Sequence, residues 1–90
     1  MQKITGLDYK IKEMAARIKE LREIEALTAA QMAEKTGVSE EEYIACESGR
    51  SDLTFAFIYR CALAFGVDVT DIIEGHSQKL ESDVLTSSGE

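Results

Sequence analysis

Residues 36–50, TGVSEEEYIACESGR, gather three consecutive carboxylates, Glu40, Glu41 and Glu42, with Ser39, Cys46, Glu47 and Arg50 close by. Carboxylates in that number invite an enzymatic reading. General acid–base work, however, needs a pair held in a pocket or a nucleophile beside its base, and the sequence shows neither, nor a glycine-rich phosphate loop. The single histidine, His76, is too little for a metal ligand set. Cys46 and Cys61 stand in apolar helical patterns without a CxxC spacing, as two reduced core thiols rather than a disulfide or a metal site. The expectation is therefore not an enzyme, with no cofactor and no metal. What the three glutamates can do is electrostatic. In the first turn of a helix, exposed N–H groups and the macrodipole favour negative charge by about 0.3 to 1 kcal/mol per residue. A carboxylate facing outward can also accept a hydrogen bond from an amine such as cytosine N4.

That helix has to be held by others. Leu7, Ile11, Met14, Ile18 and Leu21 step by four, three, four and three, which predicts a helix from about Asp8 to Glu25 with one apolar side. The stripe is either core-facing throughout, or Leu7 and Ile11 overhang the domain and touch a partner chain. In LTAAQMAEKTG, Thr28 and Gln31 are spaced as a capping box and Gly37 ends a helix of about two turns. Ser39 and Glu42 are spaced as a second box, opening a helix to about Ser48 that Gly49 stops. Two short helices across a glycine-containing turn make a helix-turn-helix. A fourth helix, about Thr54 to Phe65, is expected to bury Phe55, Ile58, Cys61, Ala62 and Phe65 before Gly66, and Asp68 can cap a fifth that closes at Gly75. From His76 the periodicity is lost, which predicts a frayed polar tail.

The totals agree. Ninety residues make one small domain, and 44% hydrophobic with 30% charged residues and no proline favours an all-α fold. No apolar run reaches the roughly 18 residues a membrane span needs, and the N-terminus does not resemble a signal peptide, so a cytoplasmic protein with no membrane partner is expected. The net charge of −7 is unevenly spread: residues 1–39 hold seven Lys/Arg against six Asp/Glu, and residues 40–90 hold three against eleven.

Taken together, RIKELR, LT..QMA...GVS, ESG and A.AFGVDVTDII in these spacings resemble the XRE-type, lambda-repressor-like helix-turn-helix domain over about Ala16 to Gly75. The similarity is greatest to the subgroup in which this domain precedes a C-terminal cupin barrel. It implies a five-helix domain over 15–75, with an extension of the first helix over 1–14 and a polar tail or linker over 76–90. It also implies an ion pair between Arg22 and Glu47 that ties the first helix to the end of the third, a small side chain at Ala33 where the third approaches, and Val38, Tyr43 and Cys46 facing inward.

In that family the second helix of the motif enters the major groove. Carried over by position, Ser39, Glu40, Glu41 and Ala45 would face bases, Thr28, Ala29 and Ala30 would sit near the backbone, and Arg50 and Ser51 would flank it. Phosphate affinity would rest on Arg50, Lys35, Thr28, Ser39, Ser51 and Arg60. The implied activity is a sequence-specific DNA-binding transcriptional regulator, weak as an isolated domain because of its acidic recognition helix. It would act as a homodimer on a two-fold duplex site, with a cupin domain in a longer natural chain. The alternatives are an interaction or assembly module that keeps the fold without binding DNA, and the accessory domain of a cupin-type protein.

Overall fold

The computed structural model describes residues 6–75, with side chains from Asp8 onward. Five helices follow in order: α1 (Gly6–Ile24), α2 (Ala29–Thr36), α3 (Glu40–Glu47), α4 (Phe55–Phe65) and α5 (Val69–Ile73). No strand occurs among the described residues, and no helix there is long and apolar enough to cross a membrane. α1 runs unbroken across residue 15 from Gly6, and residues 1–5 of the expected extension lie outside the described residues. The tail, with His76, lies outside the described residues.

The short helices begin and end where local chemistry dictates. Thr28 Oγ1 accepts from the Gln31 N–H (3.0 Å) and Gln31 Oε1 accepts from the Thr28 N–H (2.8 Å), so the first box is complete. The second box is only half made. Ser39 Oγ accepts from the Glu42 N–H (3.0 Å), but the Glu42 carboxylate turns to the Cys46 thiol, which donates to it at 3.4 Å. At α5, Asp71 Oδ2 accepts from the Asp68 N–H (3.2 Å).

Met14, Ile18, Met32, Tyr43, Phe57, Ile58, Phe65 and Ile72 form the centre of the core, with Cys46 and Cys61 buried and unbridged among them. One expectation needs correction. Phe55 is 64% exposed, and Phe57 is buried in its place. At about 100° per residue the buried arc of α4 runs from Phe57 through Cys61, Phe65 and Ile58 to Ala62, and Phe55 falls just beyond its edge. Of the two readings of the α1 stripe, Ile11 follows the core-facing one, buried at 8% exposure by the chain's own packing, while the Leu7 side chain lies outside the described residues.

Burial pushes the Cys46 thiol up to about 11, helped by its hydrogen bond to Glu42, and pushes Cys61 up to about 12. Tyr43 also titrates above its usual range, through burial and then its hydrogen bond to Glu47. A folded pKa above the unfolded one means the native state keeps its proton longer, so the associated stability is intact below about pH 9 and is lost as pH rises beyond it. Thermal melts should show the midpoint level from pH 7 to 9 and falling steeply by pH 11. Replacing both cysteines by alanine should remove part of that slope, and an equal slope in the variant would contradict thiol burial as its cause.

Candidate nucleic-acid interface

The turn between α2 and α3 is built on Gly37, whose φ of +78° is open to glycine at low cost. Its N–H reaches the Ala33 and Glu34 carbonyls, and the Val38 N–H bonds to Ala33 as well, closing the end of α2 within one residue. Thr36, fully buried, donates its hydroxyl to the Met32 carbonyl at 2.7 Å. Arg60 reaches the Thr36 carbonyl from α4 at 3.4 Å. Arg60, expected among the phosphate contacts, is exposed, and its guanidinium also helps to satisfy the end of α2. Ala33 is buried and Val38 packs against the core, as the family pattern implies.

α3 is fastened along one side. Tyr43 and Cys46 face fully inward. At its end Glu47 is the centre of a network: Arg22 Nε donates to Oε2 at 2.6 Å, Arg22 Nη2 donates to Oε1 at 3.1 Å, and the Tyr43 hydroxyl donates to Oε2 at 2.7 Å. Arg22 Nη1 also donates to the Leu27 carbonyl at 2.9 Å, so one guanidinium holds α3, α1 and the α1–α2 turn together. The paired carboxylate raises the Arg22 pKa, keeping it charged. This planar, two-bond pairing is one that lysine cannot reproduce.

With Tyr43 and Cys46 inward, helical periodicity fixes what points out. Across about 140° lie Glu40, Ile44, Ser48, Glu41 and Ala45. Of the residues expected to face bases, Glu40, Glu41 and Ala45 fall within this arc, the first two exposed and Ala45 half-buried, while Ser39 is exposed at the N-cap, outside the arc. Two members of that face went unnoticed in the sequence. Ile44 is 42% exposed near its middle. Ser48 sits beside it, accepting from Arg50 Nε at 2.9 Å. Both could have been found by turning the helix about Tyr43.

Around this face, Thr28 is exposed and Ala29 half-buried at the start of α2, which carries no acid in its first turn. Thr28 Oγ1 is already engaged in capping, so a phosphate there would meet backbone N–H groups rather than that hydroxyl. Beyond α3, Arg50 and Ser51 line a cleft of about 270 Å³ together with Asp8, Ile11, Lys12, Gly49 and Asp52. Lys12 is a second cation brought to this end of α3. Its Cγ lies 3.3 Å from where a side chain on Gly49 would begin, a closeness no local pattern announces. Among the described residues no group of three or more His, Cys, Asp or Glu is placed to hold a metal ion.

Known proteins are similar to this chain in sequence and in fold. A family model described as a helix-turn-helix domain matches residues 15–78. An uncharacterized HTH-type transcriptional regulator of Methanocaldococcus jannaschii is 36% identical over 59 residues, 66% of this chain and 89% of that one. The solved structure of the clp gene regulator ClgR from Corynebacterium glutamicum superposes with a TM-score of 0.69 at 22% identity, covering 80% of this chain and 96% of that one, a likeness of fold. An HTH_3 family transcriptional regulator from Vibrio cholerae gives 0.66 at 26% identity, over 79% of this chain but only 40% of that longer one. With the family model covering most of its length, and with the Gly37 turn and the Arg22–Glu47 tie in place, the chain belongs to the XRE-type helix-turn-helix domain family, whose fold serves DNA-binding transcriptional regulators.

Proposed function

We propose that this chain is a transcriptional regulator that reads duplex DNA through the outward face of α3. The observation that carries the reading is that face itself: Tyr43, Cys46 and Glu47 anchor the helix from behind, and Glu40, Glu41, Ile44, Ala45 and Ser48 are left open on a rigid support. Each has a chemistry suited to base edges. Glu41 accepts from cytosine N4, Ile44 and Ala45 offer apolar contact to a thymine methyl, and Ser48 serves either kind of edge. Phosphates are met by the N–H groups of Ala29 and Ala30 at the start of α2 and, past the far end of α3, by Arg50, Ser51 and Lys12, with Ser39 and Lys35 alongside.

So few cations give a shallow salt dependence and weak binding per domain, since each neutralised phosphate adds about 0.9 to the slope of log K against log salt. Two copies on a two-fold site, with half-sites about 34 Å apart, double the contacts. A cytoplasmic location is part of the same proposal. A C-terminal cupin barrel in a longer natural chain belongs to the same proposal, carried by the resemblance alone, and the sequence of the whole gene tests it.

Selection of bound duplexes from random sequence, followed by fluorescence anisotropy at about 50 mM salt, is the test. Enrichment of a two-fold motif that binds in this assay is expected. No binding at that salt from a protein shown to be dimeric would remove the groove-reading claim and leave the interaction module as the reading of the acidic face.

A further inference from the structure

α4 carries an outer surface that its own fold does not explain. A surface helix presents polar residues to water, and one that is apolar all round belongs in an interior. α4 fills the core with one side, yet Phe55, Tyr59 and Leu63 on the other are 64%, 49% and 63% exposed. With Ala56 they sweep about 100° of the outer arc. The Phe55 and Tyr59 rings stack on each other with centroids 6.3 Å apart. Arg60, at the margin of this arc, is drawn toward α2 by its bond to the Thr36 carbonyl.

Charge selects the occupant. Residues 40–90 carry eleven acids against three bases, yet no acid falls between Asp52 and Asp68. Two copies of so acidic a chain repel across much of their surfaces, and this helix face lets them approach without opposing carboxylates. The face is also self-complementary. In a two-fold, antiparallel pairing of α4 helices, Tyr59 meets its own counterpart near the axis and Phe55 meets Leu63 at either end. The three side chains expose on the order of 300 Å² per copy, roughly 600 Å² for the pair, which is below the size of a standard interface and sets the contact as weak and transient. We propose that the outer face of α4 is where a second copy of this chain docks, antiparallel across Tyr59, as a weak two-fold dimer. The proposal rests on the two-copy reading above and gives it a surface.

Sedimentation of the full chain without DNA, from about 10 µM to 1 mM, should show monomer giving way to dimer. Tyr59→Glu and Leu63→Glu should each raise the dissociation constant about tenfold or more, with melting midpoints close to that of the parent. Tyr9→Glu, altering an aromatic 61% exposed on α1, should leave association unchanged. In a dilution series followed by amide NMR, the moving signals should cluster on α4. A monomer at every concentration would overturn the proposal, whether the face is open, meant for another protein or covered by the chain's own tail. So would association indifferent to both α4 substitutions, or dilution shifts centred on another helix. Because no DNA is present, failure here leaves the groove reading standing, and failure of DNA binding leaves this dimer standing.

Discussion

Arg22→Ala should cost about 3 kcal/mol of stability. The guanidinium makes two bonds to Glu47 and one to the Leu27 carbonyl, with side chains only 18% and 10% exposed across the ion pair. Removing it leaves a nearly buried carboxylate with only the Tyr43 hydroxyl for company. That stranded charge, more than the lost attraction, is the source of the loss. In a domain of this size each kcal/mol lowers the melting midpoint by about 4 to 8 °C, so a drop of at least about 12 °C is expected. Arg22→Lys keeps the charge but not the planar pair and should fall between. Arg22→Met combined with Glu47→Leu should recover much of the loss, because no ion is then left behind. A melt of Arg22→Ala within about 0.5 kcal/mol of the parent would mean that the pair behaves as an exposed surface contact.

Replacing Glu40 and Glu41 together by glutamine should move two properties in opposite directions. Both acids lie in the first turn of α3, so neutralising them forfeits up to about 1 kcal/mol of helix-dipole stabilisation each. Both also sit on the open face of α3, where DNA phosphates would pass close to them. Removing two like charges there should tighten non-specific duplex binding about tenfold at 50 mM salt, and less at higher salt where screening sets in. Anisotropy and a thermal melt on the same variant read the two effects separately. Tighter binding from a less stable protein is the expected result, and unchanged affinity would show that these acids do not face the duplex.

Local chemistry made most of this fold legible. Thr28, Gln31, Ser39 and four glycines mark the ends of the short helices, and the steps of Met14, Ile18 and Leu21 mark the apolar side of α1. What local pattern could not settle was the choice between neighbours that fit almost equally well. Phe55 and Phe57 both lie near the margin of an apolar arc, and only the packing of α4 against α2 and α5 decides which is covered. Glu42 had two possible partners within one turn and took the Cys46 thiol rather than the Ser39 N–H. Contacts across long loops left no trace in spacing. Arg17 donates to the Ile72 and Ile73 carbonyls at 2.8 and 3.2 Å and so closes the end of α5 from α1, as Lys12 closes on Gly49. The candidate site was legible to the extent that Tyr43 and Cys46 could be placed inward, which fixes the opposite face by geometry. The cations around it depend on tertiary contacts and were read only in part.

Amide NMR of the labelled full chain, titrated with a selected duplex at about 50 mM salt, tests directly whether the open face of α3 is what meets DNA. The largest shifts should fall on Ser39 to Ala45 and Ser48, flanked by Ala29 and Ala30 and by Arg50 and Ser51, while the outer residues of α4 keep the positions they have in the dimer. Shifts concentrated on α4 or α5, with α3 undisturbed as the duplex is bound, would contradict the account.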